Sequence, residues 1–334
     1  MFDGRKILVT GGAGFIGSHL VERLVGLGAE VTTVDFNPRA GLRNLEAVLD
    51  RIEARNFDIA SGDVADFLAA ERFGLVFHLA ASASVEGSIE DPWHDFERNA
   101  VVTLRLLEAM RKASPQTALL YVSSSAVYGG GGTDLIREDD PTVPGSPYGV
   151  SKLAAERYVN VFARVYGLAG AVLRFFSVFG PRLRKQLIYD IMRRLSENPD
   201  TLPLRGDGTQ MRDLNYVFNV VDALLLVAER APLKGEAYNV ASGKHATVRQ
   251  VATSIARLMG LSPQLLFSGE VPPGDTPHWF ADTTRICALG YAPSVSLDDG
   301  LSRTVAWFLD SQGAAADREA ATRPPAPGTA PDPR

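Results

Sequence analysis

The chain has 334 residues, of which 46% are hydrophobic and 22% are charged, a composition typical of globular proteins with a large apolar core. The net charge of -5 gives no general attraction to nucleic acid or to anionic membranes, and no apolar stretch is long enough to span a bilayer, so we expect a cytoplasmic protein with a small-molecule ligand. The single cysteine excludes an internal disulfide and a thiolate metal cluster, and the histidines lack ligand-like spacing, so we expect no metal.

A glycine-rich segment, TGGAGFIG at residues 10–17, follows a short apolar strand predicted at residues 7–9. Gly11 lets the chain turn sharply out of the strand, Gly14 leaves room for a pyrophosphate, and Gly17 lets the next helix pack close to the sheet. The N–H groups at the start of that helix would face the phosphates. The segment therefore predicts a dinucleotide-binding site.

The second predicted strand covers residues 30–34 and ends at Asp35. An acidic side chain at this place accepts hydrogen bonds from the adenosine ribose hydroxyls and repels a 2′-phosphate. Asp35 therefore favours NAD over NADP as the dinucleotide.

Strands and helices continue to alternate as far as about residue 173, as a doubly wound parallel sheet requires. The further strands are predicted at residues 54–59, 75–79, 119–123 and 171–175. Long helices are predicted at about residues 92–112 and 147–166, and the second has apolar residues on more than one face. We therefore predict a Rossmann-type α/β domain over residues 1–180 and a homodimer that buries these two helices.

The regular alternation weakens beyond residue 180. Helices are joined there by short strands predicted near residues 203–204, 214–217 and 237–240. This pattern predicts a smaller mixed α/β lobe, residues 181–311, that covers the carboxyl ends of the sheet strands and binds substrate. Residues 312–334 are rich in alanine and proline and are predicted to form a disordered tail.

Tyr148 and Lys152 lie four residues apart on the second long helix, so their side chains share one face. A free tyrosine has a pKa of about 10. A neighbouring ammonium favours the phenolate, so we predict that Lys152 lowers the pKa of Tyr148 and makes it a usable base.

Three serines, residues 123–125, end the strand predicted at residues 119–123. The carboxyl ends of parallel strands face the ligand crevice, so a serine there can donate a hydrogen bond to a substrate oxygen. The alternative is a turn in which the serines only satisfy their own backbone.

Together these motifs resemble the extended short-chain dehydrogenase/reductase group, and within it the NAD-dependent nucleotide-sugar epimerase/dehydratase family. The resemblance runs from about Arg5 to Trp307. The further segments that carry it are GDV at 62–64, HLAASASV at 78–85, Asn99, SSSAVYG at 123–129, RFFSVFG at 174–180 and GDGTQMRD at 206–213.

This resemblance implies a role for each matching residue. Ser124, Tyr148 and Lys152 would be catalytic, with Tyr148 as the base and Lys152 also holding the nicotinamide ribose. The implied cofactor-binding residues, besides Tyr148 and Lys152, are Gly11, Gly14, Phe15, Ile16, Gly17, Asp35, Asp63, Val64, Leu79, Ala80, Ala81, Asn99 and Phe175. Asp63 and Val64 would contact the adenine, and Asn99 would lie near the nicotinamide. The implied substrate-binding residues are Ser125, Ser177, Arg184, Arg212 and Asp275, with Arg212 on the diphosphate.

The implied reaction is epimerisation of a nucleotide sugar at C4, for example a UDP-hexose or its N-acetyl form. Tyr148 would take a hydroxyl proton while hydride passes to NAD, and a transient 4-keto sugar would regain hydride on its opposite face. Ser125 and Ala126 stand where 4,6-dehydratases carry Asp and Glu, which disfavours dehydration, and Ala126 also disfavours decarboxylation.

Relatives that act on UDP-glucuronate tend to have a small hydroxyl residue at the position of Ser177 and an arginine soon after it, so the resemblance keeps UDP-glucuronate as an alternative substrate. Arg184 would hold its carboxylate, because a guanidinium binds a carboxylate through two hydrogen bonds. The alternative is that Arg182, Arg184 and Lys185 form a solvated basic turn or contact phosphates.

One departure from the family pattern concerns the nucleotide. The chain reads VPPGD at residues 271–275, where relatives usually carry an arginine that grips phosphate or ribose. Either Arg212 binds the diphosphate with help from Arg182 or Lys185, or the activated sugar is not a standard UDP-sugar.

Two other functions are compatible with a dinucleotide site. A reductase that uses NADP is disfavoured by Asp35. A non-catalytic NAD-binding regulator is disfavoured because the chain keeps Ser124 and the Tyr148/Lys152 pair.

Overall fold

The computed structural model describes residues 1–36, 42–60, 63–130, 135–270 and 278–322, with side chains for all of these except 278–279 and 313–322. Within this part of the chain, no helix combines the length and the apolar character that a membrane crossing needs.

The strands of the described residues form one large sheet and two smaller ones. In chain order they are β1 (Lys6–Thr10), β2 (Glu30–Asp35), β3 (Glu53–Asn56), β4 (Leu75–His78), β5 (Ala118–Ser124), β6 (Gly170–Phe175), β7 (Ser177–Phe179), β8 (Thr201–Leu204), β9 (Met211–Tyr216), β10 (Lys234–Val240), β11 (His245–Thr247), β12 (Gln264–Phe267) and β13 (His278–Trp279).

The large sheet is seven-stranded and parallel, with strand order β10-β6-β5-β4-β1-β2-β3. The chain moves outward from β1 in one direction through β2 and β3, and then in the other direction through β4, β5 and β6. The predicted doubly wound α/β fold is therefore confirmed. Its order reverses between β1 and β4, and the carboxyl ends of these two strands flank the crevice where such sheets bind ligands.

Helices cover both faces of this sheet. The described α-helices are α1 (Phe15–Gly26), α2 (Val64–Glu71), α3 (Val85–Glu90), α4 (Pro92–Phe96), α5 (Val102–Ala113), α6 (Pro147–Tyr166), α7 (Gln186–Glu197), α8 (Val217–Arg230), α9 (Val248–Leu258), α10 (Thr284–Cys287) and α11 (Leu297–Thr322). Alternate residues of β1 face opposite ways, so Ile7 packs with α1 and α8 while Leu8 packs with α2, α5 and α6.

The long helix predicted at residues 92–112 is divided into three parts in the structure. A π turn, Glu97–Val101, separates α4 from α5 and carries Asn99. Two 3₁₀ segments, Leu42–Arg51 and Ser125–Tyr128, complete the helical elements of the described chain. A π turn such as Glu97–Val101 is rare within helices and frequently marks a functional site.

The smaller lobe contains one sheet in which β9 pairs with β7, β11 and β13, and another formed by β8 and β12. A separate apolar core joins these strands to α7, α9 and α11. Residues 237–240, which we predicted for this lobe, instead belong to β10 at the edge of the large sheet, where they pair with β6. The last helix continues to Thr322, beyond residue 312, where we expected a disordered tail to begin.

Candidate active site

The glycine-rich segment forms the turn between β1 and α1, and its glycines are required by close backbone contacts. Gly11 has a φ of +74°, and a Cβ on it would lie 2.8 Å from the backbone nitrogen of Ala80. A Cβ on Gly17 would overlap the carbonyl oxygen of Gly11. A Cβ on Gly14 would meet only that same oxygen, at 3.1 Å, so Gly14 faces otherwise open space.

The N-terminus of α1 is suited to an anionic group. Gly14 is the N-cap residue, and no side chain caps the helix. The first N–H groups of a helix lack partners within it, and the helix dipole adds positive potential there. Phe15 and Ile16 begin this helix, so the predicted cofactor residues can hold a pyrophosphate, as a dinucleotide requires.

Asp35 connects the end of β2 to the glycine-rich turn. Its carboxylate accepts hydrogen bonds from the backbone N–H of Ala13, at 3.1 Å, and from Thr33 Oγ1, at 3.0 Å. Burial raises the pKa of Asp35, and the two hydrogen bonds oppose that rise. The carboxylate therefore lies beside the glycine-rich turn, and its contact with the adenosine ribose stays a prediction.

The segment after β4 lies against the same turn. The backbone nitrogens of Leu79 and Ala80 donate to the carbonyl oxygen and the Oγ1 of Thr10, at 3.0 Å and 3.2 Å. Leu79 and Ala80 are half-buried, and Ala81 is exposed. These three residues therefore line the crevice between β1 and β4.

The predicted adenine contacts Asp63 and Val64 lie at the start of α2, with Asp63 as its N-cap residue. Strand β3 ends at Asn56 rather than at residue 59. Asp63 is exposed at the start of α2, and Val64 packs into the core on the α2 face of the sheet. The contact of these two residues with the adenine therefore stays a prediction.

A second acidic residue, Asp58, lies close to the end of β2. The backbone nitrogen of Phe57 donates to the carbonyl oxygen of Asp35, at 3.2 Å. Asp58 pairs with Arg98 at 3.3 Å, and the Arg98 guanidinium lies 4.2 Å from the ring centroid of Phe36. The sequence held a signal for this, because Asp58-Ile59 repeats the acidic-aliphatic pairing of Asp63-Val64 closer to the strand.

The predicted catalytic residues Ser124 and Tyr148 lie together. Ser124 ends β5, and its Oγ accepts a hydrogen bond from the backbone nitrogen of Ala126 at 3.2 Å. Tyr148 lies in the first turn of α6, which Ser146 caps. The Ser124 and Tyr148 hydroxyls are hydrogen-bonded to each other. Two hydroxyl groups that can donate and accept protons, those of Ser124 and Tyr148, therefore lie at the carboxyl ends of the sheet strands.

Lys152 is buried one turn along α6 from Tyr148, with 3% of its surface exposed. Its ammonium donates to the carbonyl oxygen of Val122 at 2.6 Å and lies 4.5 Å from the ring centroid of Tyr121. Burial lowers the pKa of Lys152 to about 7, although the carboxylates of Glu156 and Asp95 act in the opposite direction.

The predicted effect of Lys152 on Tyr148 is not found in this structure. Burial raises the pKa of Tyr148, and the hydrogen bond from Ser124 is the influence that lowers it. The net shift of this pKa is therefore upward, and Lys152 is not among its causes. Helical spacing fixes the shared face of two side chains but not where a flexible lysine directs its ammonium.

Asn99 lies beside the same helix. Its Nδ2 donates to Asp95 Oδ1 at 2.9 Å and contacts Ser151 Oγ at 3.1 Å. Ser151 Oγ in turn donates to Asp95 Oδ2 at 2.6 Å. The sequence reasoning missed Asp95 and Ser151, although Ser151 stands directly before Lys152.

The predicted substrate residues lie on both lobes. Ser125 follows Ser124 in a 3₁₀ segment. Phe175, which was predicted to bind the cofactor, is buried at the end of β6. Ser177 is half-buried at the start of β7 and pairs with Leu214 of β9, the strand that also carries Arg212. Asp275 lies outside the described residues.

The three basic residues that follow β7 differ in the contacts that their side chains make. Arg182 pairs with Glu22 of α1 at 2.5 Å and donates to Ser18 Oγ at 3.0 Å, so its guanidinium is bound to two side chains of α1. Lys185 donates to the carbonyl oxygen of Ala83 at 2.7 Å. Arg184 is exposed, and its guanidinium lies 5.3 Å from the ring centroid of Trp307.

Comparison with known proteins gives consistent matches over nearly the whole chain. The chain is 35% identical to the UDP-glucose 4-epimerase of Mycolicibacterium smegmatis, over 91% of this chain and 98% of that protein. It is similar to the UDP-N-acetylglucosamine 4-epimerase structure of Methanobrevibacter ruminantium, with a TM-score of 0.86, 30% identity and coverage of 92% and 99%. The UDP-glucuronic acid 4-epimerase of Bacillus cereus, solved with UDP-glucuronic acid and NAD, gives a TM-score of 0.83, 30% identity and the same 92% and 99% coverage.

The family match covers the Rossmann-type sheet and the crevice. Residues 7–241 match the family described as the NAD dependent epimerase/dehydratase family. This span contains the glycine-rich turn, Asp35 and the hydrogen-bonded Ser124 and Tyr148. The chain belongs to the NAD dependent epimerase/dehydratase family, and NAD is its cofactor.

Proposed function

We propose that this protein is a nucleotide-sugar 4-epimerase that acts on a UDP-hexose, such as UDP-glucose, or on its N-acetyl form. The observation that carries the proposal is the hydrogen bond between Ser124 and Tyr148 at the sheet edge that also carries the glycine-rich turn. An acid–base pair beside a dinucleotide site is what reversible oxidation of a sugar alcohol requires.

Each residue of the pair has a defined task in this reaction. When bound, NAD accepts the hydrogen of the sugar carbon as hydride and returns it. Tyr148 takes the proton of the C4 hydroxyl, and Ser124 donates a hydrogen bond to the same oxygen. Lys152 supplies positive charge in a buried environment, and Arg212 binds the diphosphate. The transient 4-keto sugar regains hydrogen on the opposite face after it turns over in the site.

The residues after Ser124 favour epimerisation over dehydration. Loss of the C6 hydroxyl needs an acid and a base beside the sugar in addition to the tyrosine. The two positions that follow Ser124 are Ser125 and Ala126, neither of which has a carboxyl group.

A second substrate, UDP-glucuronate, is favoured by one specific observation. Arg184 is exposed and, within the described chain, pairs with no carboxylate. A guanidinium in this state can bind the carboxylate of a uronate, with the hydroxyl of Ser177 as a further donor. Substitution Arg184→Ala separates the two substrates, because it would weaken turnover of the uronate and spare that of the hexose.

We also propose that the protein is a homodimer. The outer face of α6 exposes four apolar or aromatic side chains, Val150, Tyr158, Val161 and Val165. Neighbouring helices add Ile89 and Trp93, which are 65% and 67% exposed. An apolar surface of this extent on three helices that pack together, α3, α4 and α6, is typical of subunit interfaces.

The test of the proposed function is direct. The purified protein is incubated separately with UDP-glucose, UDP-N-acetylglucosamine and UDP-glucuronate, and the products are resolved by chromatography. We expect inversion at C4 of a hexose, and no turnover in the Tyr148→Phe variant. Inversion of the uronate alone would favour the second substrate. Binding of NAD without turnover of any nucleotide sugar would contradict an enzymatic function and support a regulator.

A further inference from the structure

A buried carboxylate, Asp95, stands beside the catalytic residues without a cation in contact with it. Asp95 lies on α4, which packs against α6, and 2% of its surface is exposed. Its two oxygens accept hydrogen bonds from neutral donors, Asn99 Nδ2 at 2.9 Å and Ser151 Oγ at 2.6 Å. In the described part of the chain no ion pair includes it. A buried charge without a partner is costly and calls for a functional explanation.

The other carboxylate near Lys152 is differently placed. Glu156 forms a buried ion pair with Arg174, with 2.8 Å between Oε2 and Nη2. The charge of Glu156 is therefore balanced by a guanidinium in direct contact. Asp95 has no such partner, and the cation on which its charge acts is the Lys152 ammonium.

Several ionisable groups face Lys152 from the elements packed around it. They are Tyr148 and Glu156 on its own helix, Asp95 on α4, His78 on β4, Tyr121 on β5 and Arg174 on β6. His78 is buried and hydrogen-bonded to two threonines, and burial lowers its pKa to about 3, so it is neutral at physiological pH. Asp95 is therefore the negative charge that no neighbouring cation neutralises.

The hydrogen bonds also fix where this charge stands. Asn99 and Ser151 hold the two carboxyl oxygens, and Ser151 directly precedes Lys152 on α6. The π turn that carries Asn99 follows α4 directly, so Asn99 lies one helical turn after Asp95. Both anchors belong to the elements that carry the predicted nicotinamide-side residues.

We propose that Asp95 is a positioning residue that sets the protonation of the Lys152/Tyr148 pair, through a carboxylate that Ser151 and Asn99 hold in place. The proposal rests on the proposed function, since it assigns a task within the same site. A negative charge favours the ammonium over the neutral amine and the phenol over the phenolate. Asp95 therefore makes both groups retain their protons to higher pH.

The substitution Asp95→Asn removes this charge with little change in shape. The Oδ1 of Asn99 is buried and has no hydrogen-bond partner in the described structure. If the Asn99 side-chain amide turns over, this oxygen can accept a hydrogen bond from an amide at position 95. A second neutral variant, Asp95→Ser, leaves room for a water and covers the case in which Asp95→Asn fails to fold.

The first experiment measures the titration of Tyr148 without any substrate. The tyrosinate absorbance of each protein is recorded against pH, and the curve of the same protein with Tyr148→Phe is subtracted. In Asp95→Asn and Asp95→Ser we expect the remaining titration to move to lower pH by on the order of one unit. Ser151→Ala is the matched control, because it removes a hydrogen bond from the carboxylate but keeps the charge, and its titration stays closer to wild type.

The second experiment follows turnover against pH for whichever nucleotide sugar the wild type epimerises. We expect the pH dependence of kcat to move to lower pH in both neutral variants. KM should stay unchanged, since Asp95 is buried and is not among the predicted substrate-binding residues. A lower kcat with an unmoved pH profile and an unmoved Tyr148 titration would show a purely structural role and overturn the proposal. Failure of the wild type to turn over any nucleotide sugar would instead contradict the proposed function.

Discussion

The guanidinium of Arg174 on β6 and the carboxylate of Glu156 on α6 form a buried ion pair, with 5% and 1% of their side chains exposed. Arg174 also donates to the hydroxyl of Tyr128 at 2.7 Å, and that hydroxyl donates to Asn239 Oδ1 on β10 at 2.7 Å. The pair thus ties the helix of Tyr148 and Lys152 to two strands of the large sheet.

Removing one partner of this pair should destabilise the fold strongly. Glu156→Gln leaves the Arg174 guanidinium buried without a counter-charge, which we expect to lower the free energy of unfolding by about 3 kcal/mol. The control is Glu197→Gln, which breaks an exposed ion pair with Arg193 and should change the free energy of unfolding by about 0.5 kcal/mol or less. Urea unfolding monitored by circular dichroism measures both. Equal effects would contradict the role of the buried pair.

A second prediction concerns acid stability. His78 donates or accepts at both ring nitrogens, to Thr10 and Thr103, and burial lowers its pKa from 6.5 to about 3. Its pKa is thus lower in the folded than in the unfolded state, so protonation favours unfolding. The contribution of neutral His78 to the free energy of unfolding is fully present above pH 6.5 and is lost as the pH falls from 6.5 towards 3.

Between pH 7 and pH 4, the titration of His78 should lower the free energy of unfolding by roughly 2–3 kcal/mol. The His78→Asn variant should be less stable at neutral pH, because it loses buried hydrogen bonds, but its stability should fall less steeply with acid. Urea unfolding at a series of pH values gives both slopes. Identical slopes in the two proteins would show that His78 does not titrate on unfolding.

A third prediction concerns three glycines in or next to α1, whose substitution by alanine should have different effects on stability and NAD affinity. In Gly14→Ala the new Cβ enters otherwise open space, so we expect the fold to persist while NAD affinity falls by about tenfold or more. In Gly17→Ala the Cβ overlaps the Gly11 carbonyl, so stability falls by about 2 kcal/mol as well.

Gly26 is the control for these substitutions. It ends α1, and a Cβ there would have no heavy atom within 4 Å. Gly26→Ala should therefore raise stability by about 0.5 kcal/mol and leave NAD binding unchanged. Calorimetric titration with NAD and thermal unfolding of all three variants provide the comparison. Loss of NAD binding in Gly26→Ala would contradict the assignment of the site to the turn.

Two adjacent serines provide the fourth prediction. Ser124→Ala removes the hydroxyl bonded to Tyr148, and we expect kcat to fall by about a hundredfold with little change in KM. The Oγ of Ser123 is buried without a hydrogen-bond partner in the described structure. Ser123→Ala should therefore keep full activity and gain up to about 1 kcal/mol of stability. Similar losses of activity in both variants would argue against a specific role for Ser124.

Elements with local end signals were predicted accurately. The bounds of α6 agree with the prediction because Ser146 caps it, Pro147 stands at its first position and Gly167, with a φ of +70°, ends it. The alternation of strands and helices likewise predicted the sheet. Because ligands bind at the carboxyl ends of parallel strands, the sequence also predicted that Ser124 and Tyr148 lie at the same edge of the sheet.

Features that depend on distant partners were not predictable in the same way. The sequence of β10 does not state that it pairs with β6, and the periodicity of residues 92–112 does not reveal the π turn at Asn99. The end of β3 at Asn56 is set by its pairing with β2, which the sequence of β3 alone does not show. The direction of the Lys152 ammonium depends on the carbonyl of Val122, which only the folded chain supplies.

The return of the chain to the large sheet at β10 has a consequence for how the protein opens and closes. The polypeptide passes from one lobe to the other before β7, again before β10 and again after it, so the lobes share several covalent connections. A clamshell motion about one flexible linker is therefore excluded by connectivity, because any relative movement of the lobes must bend several connections at once. For the same reason, a fragment cut after residue 180 would lack an edge strand of its own sheet and could not be expected to survive as an autonomous unit.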